Sequence, residues 1–203
     1  MRDPRPPHGL TIIELMVVVG VVGVLAALAA PSLRDFMARQ RVAAINAELV
    51  TDLQFARSEA IARGRQVRVQ FREDNTMTCY TIHTYGVAIG NCNCLKPLGT
   101  ACPAGIANLS EIKTTQVLKS TSVTVRPPDA FPHNYVIFTE PKGLANWRDH
   151  AGDDSDYVTN WEDFKVAVES SISGKLRTAT NLVGRPQVCS PDGSISGTAR
   201  CPE

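Results

Sequence analysis

An apolar run of membrane-spanning length constrains this chain more than any other feature. From Leu10 to Leu33 nearly every residue is Leu, Ile, Val, Ala, Met or Gly, and Glu14 is the single ionisable group. As a helix, that length crosses about 30 Å of hydrocarbon. A secretory signal has a shorter apolar region followed by small residues for cleavage, so the run reads as an anchor. The leader before it, MRDPRPPHG, is short and polar, and Pro4, Pro6 and Pro7 disfavour helix. The helix is therefore expected to begin after Gly9. Glu14 needs a reason. A carboxylate at bilayer depth costs about 2.5–3.5 kcal/mol even on lenient insertion scales, so it usually has a partner or a function. The plainer reading is a tolerated charge near the interface.

Beyond the anchor the helical pattern continues. Pro31 removes a backbone donor and is expected to kink or loosen the helix. Ile45, Leu49, Leu53, Ala56 and Ala60 then recur at three- and four-residue steps, which marks one face of an amphipathic helix. Arg41, Glu48, Asp52, Arg57, Glu59 and Arg63 supply its polar surface, and Gly64 is a natural stop. One long helix over about residues 11–63 follows.

The period then switches to two. Val67, Val69 and Phe71 alternate with Arg68, Gln70 and Arg72, which predicts a half-buried strand. Asp74-Asn75 reads as a turn, 77–85 as a second strand, and 115–125, 134–139, 164–172 and 176–180 as further strands. Residues 86–110 read as a loop rich in Gly, Asn, Pro and Cys. Residues 145–163 hold Asp149, Asp153, Asp154, Asp156, Glu162 and Asp163. Their spacing does not follow the EF-hand ligand order, so a solvated acidic loop is favoured over a calcium site. Strands after one long helix, with no alternating helices, predict an α+β fold: a long N-terminal helix, membrane-spanning in its first half, packed on an antiparallel sheet.

The six cysteines, Cys79, Cys92, Cys94, Cys102, Cys189 and Cys201, all follow the apolar run. An even number there fits disulfides in an oxidising compartment. That places the C-terminal side in a periplasmic or extracellular space and Arg2 and Arg5 in the cytoplasm. Positive charge alone is ambiguous, because Arg34, Arg39 and Arg41 flank the other end. Cys189 and Cys201 would close a short terminal loop. The pairing of the other four cannot be deduced, though Cys92 with Cys94 is the least favourable geometry. A zinc site on Cys92, Cys94 and Cys102 is disfavoured, since Cys-x-Cys is not the common hook and no histidine stands at ligand spacing. His8, His83, His133 and His150 show neither metal nor triad spacing. No catalytic residue, metal or cofactor is expected. The formal net charge of +1 gives no global reason to expect nucleic acid.

Gly9 followed by Leu10-Thr11-Ile12-Ile13-Glu14 and a long apolar helix resembles the class III signal of type IV pilins and type II secretion pseudopilins. The resemblance implies cleavage between Gly9 and Leu10 by a prepilin peptidase, which then N-methylates Leu10. Glu14 becomes the fifth mature residue. Pro31 becomes the twenty-second, where many members also carry proline. Leu10 in place of the commoner Phe departs from the pattern. The implied layout is a leader over 1–9, a transmembrane and filament-core helix over 10–33, an amphipathic continuation over 34–64 and a periplasmic β-rich domain over 65–203. The implied location is the bacterial inner membrane, crossed once, and then a pilus or pseudopilus. The implied partners are other minor and major pilins or pseudopilins, the peptidase and the membrane. A physical case for Glu14 stands beside this. Cleavage makes a cationic amine at Leu10, and in a filament the amine of one subunit can meet the carboxylate of a neighbour, turning two costly charges into a pair. An anion in the first helical turns is also favoured by the helix dipole.

Three later segments resemble the GspH/FimT (FimU-like) group of minor pilins: LQFARSEAIARGRQVRV over 53–69, FTEPKG over 138–143 and NLVGRPQVC over 181–189. Within that group lie a pilus-initiating minor pilin, its secretion counterpart and a DNA-binding minor pilin of natural transformation. The last carries a C-terminal Gly-Arg-x-Arg motif. The matching residues here are Gly184, Arg185, Pro186 and Gln187, so the second basic position is lost. Lys175, Arg177, Arg185 and Arg200 are candidate contacts to DNA or a partner, against the plainer reading of scattered surface charge. The sequence therefore reads as a structural subunit, with DNA binding as the alternative.

Overall fold

The computed structural model describes residues 11–84, 92–127, 134–146 and 164–202. They fall into two units, one ending at Met37 and one beginning at Ala38. The expected cleavage pair Gly9 and Leu10 and the acidic tract from Asp149 to Asp163 lie outside the described residues.

In the first unit the chain is helical from Ile12, the start of α1 (Ile12–Arg63). Thr11 caps it: its Oγ1 accepts the backbone N–H of Glu14 at 3.3 Å. Thr-x-x-Glu is the capping-box spacing, so the same carboxylate stands at the third helical position. The helix runs on through Pro31, where the sequence predicts a loosening. Among the described residues α1 is the one helix long and apolar enough to cross a membrane. Its large apolar residues from Ile12 to Leu33 are all more than half exposed.

In the second unit the buried stripe of α1 is Ala38, Val42, Asn46, Leu49, Leu53, Ala56 and Ala60, at the spacing that keeps one face on a core. Gly64 ends the helix at φ +56°. Its N–H bonds to the Ile61 carbonyl and the Arg65 N–H reaches back to Ala60, the paired closure that a left-handed residue permits.

Two antiparallel sheets follow. The first orders β3 (Glu111–Leu118), β2 (Met77–Thr84), β1 (Val67–Glu73), β5 (Tyr135–Thr139) and β6 (Leu144–Asn146) side by side. The second orders β4 (Val123–Arg126), β7 (Phe164–Ser170), β8 (Lys175–Thr180) and β9 (Pro186–Cys189). One apolar core joins them to α1: Leu49, Leu53, Val69, Phe71 and Phe138 meet Val125, Phe164 and Val168.

Several expectations are corrected here. The single strand expected over 115–125 is two strands in different sheets. A 3-10 turn over Lys119–Thr121 separates them, and Ser122 adopts φ 63°, which reverses the chain. β1 is buried on both faces from Val67 to Phe71: β2 and β5 pair along its two edges, and the Tyr135 ring lies 4.1 Å from the Arg68 guanidinium. Asp52, expected on the polar surface, is 3% exposed. It accepts hydrogen bonds from Tyr80 Oη at 2.8 Å and Lys113 Nζ at 2.7 Å. On the other sheet, Thr178 Oγ1 donates to Asn46 Oδ1 at 2.8 Å. Thus α1 is tied to each sheet by a buried polar residue.

Three disulfides pin a loop and the tail: Cys79–Cys94, Cys92–Cys102 and Cys189–Cys201. The first two interleave along the chain and hold residues 92–102 to β2.

Candidate functional site

Arg57 lies where three distant segments meet. It projects from the last turns of α1, and its Nε donates to the carbonyl of Gly143 at 3.1 Å. Gly143 ends the turn between β5 and β6, closed by its own N–H bonding to Thr139 O at 2.7 Å. Gly184 belongs to the β8–β9 turn, which Asn181 organises. The Asn181 carbonyl accepts the Gly184 N–H, and its Oδ1 accepts the Arg185 N–H at 2.9 Å. The Ala145 N–H bonds to Leu182 O at 3.0 Å and brings the two turns together.

Both glycines are required. Gly143 and Gly184 have φ +62° and +73°, the left-handed region that disfavours a side chain. A Cβ on Gly143 would stand 2.9 Å from Arg57 Cγ, and one on Gly184 would stand 2.5 Å from the Gly143 carbonyl oxygen. The Arg57 stem is therefore clamped between two glycine turns. LQFARSE, FTEPKG and NLVGRP, the segments that carry the family resemblance, converge on this one residue.

Beside the clamp is an open groove of about 420 Å³. Its walls are Gln54, Arg57, Ser58 and Ile61, on one stripe of α1, and Gly184, Arg185 and Pro186 from the opposite turn. Arg57 stood in the sequence as one polar residue among several. Its role becomes visible only when Gly143, 86 residues away, folds against it.

The four candidate cations do not form one patch. Lys175 and Arg177 lie at the start of β8, and Lys175 Nζ pairs with Glu169 at 2.8 Å. Arg200 is near that same end, since Ser190 bridges to it and Ser190 Oγ donates to Lys175 O at 3.1 Å. Arg185 is at the opposite end, next to Pro186, which pairs with Thr180. The disulfide of Cys189 with Cys201 fastens the tail at the end of β9. Glu14 is exposed in the first unit, at the third position of the helix that Thr11 caps, and Pro31 lies further along the same apolar helix.

His83, Cys92 and Cys102 also approach, with their ligand-type atoms within 4.8 Å of one another. The two sulfurs are already joined as a disulfide, so the cluster offers one imidazole nitrogen and no thiolate.

A capped apolar helix of membrane-spanning length, continuing into a helix packed on antiparallel sheets, defines a pilin-like subunit. Residues 46–149 match the family described as type II transport protein GspH, and residues 5–30 match the prokaryotic N-terminal methylation motif. The chain belongs to the GspH family, as a subunit of the minor pilin and pseudopilin type. Two fimbrial proteins of Pseudomonas aeruginosa are each 42% identical over 63 residues, 31% of this chain and 40% of theirs. The match thus spans well under half the length of those curated relatives. Two crystal structures of the type IV minor pilin FimU from Pseudomonas aeruginosa are similar at TM-scores of 0.48 and 0.45. Their identities are 17% and 16%, over 79% and 77% of this chain and 97% of theirs.

Proposed function

We propose that this chain is a structural subunit, with no catalytic role, of the tip or initiation complex of a type IV pilus or a related type II secretion pseudopilus. Residues 10–33 anchor it in the bacterial inner membrane, and its C-terminal domain is periplasmic. A prepilin peptidase cuts between Gly9 and Leu10 and methylates the new amine. That amine then pairs with Glu14 of a neighbouring subunit as the apolar helices leave the lipid and pack together. The observation that carries this reading is a lone, exposed carboxylate in the first turn of an uncovered apolar helix. Removing one partner of a buried charge pair costs about 3–5 kcal/mol. A Glu14→Val chain should still insert and be cleaved but fail to enter filaments, and normal incorporation would refute the pairing. A deletion strain scored together for surface pili, exoprotein release and transformation separates the pilus role from the secretion role.

DNA binding through the C-terminal cations is the alternative, supported by the exposed Arg185. It predicts salt-dependent binding of duplex DNA that Arg185→Ala abolishes. Absence of binding at low salt would remove it.

A further inference from the structure

The groove beside Arg57 combines two chemistries. Two arginines, Arg57 and Arg185, line it from opposite walls. Arg57 spends Nε on the Gly143 carbonyl, and its terminal nitrogens have no partner among the described residues. The exposed Arg185 side chain has none there either. Ile61 in the groove wall is 45% exposed, and Leu182 and Val183, in the turn that carries Gly184 and Arg185, are 43% and 51% exposed. A phosphate backbone would satisfy the arginines and leave these side chains in water. The groove's volume of about 420 Å³ suits one or two side chains rather than a duplex.

We propose that this groove is the receiving half of an interface with a neighbouring filament subunit, and that it takes an Asp or Glu of that subunit flanked by aliphatic residues. The inference rests on the reading of the chain as an assembled subunit. An arginine can donate two parallel hydrogen bonds to a carboxylate. The glycine clamp holds Arg57 in place beforehand, so less side-chain freedom is lost on binding. Aliphatic contacts at the rim keep water from the pair, as around interface hot spots.

A photo-crosslinking residue at Gln54 of the full chain, in cells that assemble the filament, tests this. The crosslink is expected on a pilin-type subunit, at a peptide with Asp or Glu between aliphatic residues. Arg185→Glu should reduce it about tenfold. Replacing the partner's carboxylate by Arg should restore it. Arg185 is exposed, so an unchanged thermal midpoint shows that the variant folds. Crosslinking to nucleic acid, no crosslink, or a protein crosslink indifferent to Arg185→Glu each overturns the proposal. If Glu14→Val still blocks assembly in that case, only the groove inference has failed.

Discussion

Tyr80 donates its phenolic hydrogen to Asp52 across 2.8 Å, joining β2 to α1 inside the protein. Burial foremost, with the Asp52 charge beside it, pushes the phenol well above its ordinary range and keeps it a donor. Lys113 completes the site from β3 at 2.7 Å, and the Asp52 side chain is only 5% exposed. Asp52→Ala strands the buried Tyr80 hydroxyl and leaves Lys113 with Glu48 alone, at 3.3 Å, and should cost roughly 2–3 kcal/mol in urea unfolding. Tyr80→Phe should cost about 1 kcal/mol. Equal losses for the two variants would show that Asp52 does not organise the network.

His83 sets a pH dependence. It is fully buried, its Nδ1 lies 3.0 Å from Thr84 O, and Nε2 has no hydrogen-bond partner among the described residues. Burial lowers its pKa from 6.5 to about 4. Between those values the unfolded chain binds the extra proton and the folded chain does not, so stability falls as pH falls. The contribution is present above about 6.5 and is lost progressively down to about 4, amounting to at most roughly 3 kcal/mol. His83→Gln should flatten the stability curve across that window. An unchanged acid slope in the variant would assign the loss to other groups.

The two clamp glycines should respond differently to a methyl group. Gly184→Ala drives Cβ into a backbone carbonyl in left-handed geometry and should cost about 2 kcal/mol or more. Gly143→Ala meets mainly the Arg57 side chain. Arg57→Ala should therefore relieve part of the second penalty and little of the first. Double-mutant cycles of thermal unfolding on the full chain in detergent measure the difference.

The terminal staple is separable from the fold. Cys189–Cys201 spans 12 residues, and chain entropy assigns a loop of that size about 3 kcal/mol. At roughly 2–4 °C per kcal/mol for a chain of this size, Cys189→Ser with Cys201→Ser should lower the midpoint by about 6–12 °C. A drop of less than about 2 °C would show that β9 and the tail are held without it.

The long helix was legible because its signals are local: an apolar run, a three-to-four period and a glycine stop. The capping-box spacing of Thr11 and Glu14 is equally local, yet it became evident only through the bond between them in the structure. The period-two stretch at Val67 disclosed a strand. It could not disclose that Arg68 and Gln70 would also be covered, since that depends on residues distant in sequence, such as Tyr135 beside Arg68. The break at Ser122 was hidden because a serine in left-handed geometry leaves no mark in a run that otherwise reads as strand. The short strands β6 and β9 have too few residues to show a period. The Arg57 groove was illegible for the same reason of distance: three segments had to fold together before one arginine differed from its neighbours.

The ties from α1 to the two sheets have a mechanical consequence. A subunit held by its N-terminal helix and pulled through its head transmits tension along α1. The bond of Asn46 to Thr178 engages one sheet, and the bonds of Asp52 to Tyr80 and Lys113 engage the other. A pull on the helix is therefore shared by both sheets in parallel, and neither has to peel from the helix before the other bears load.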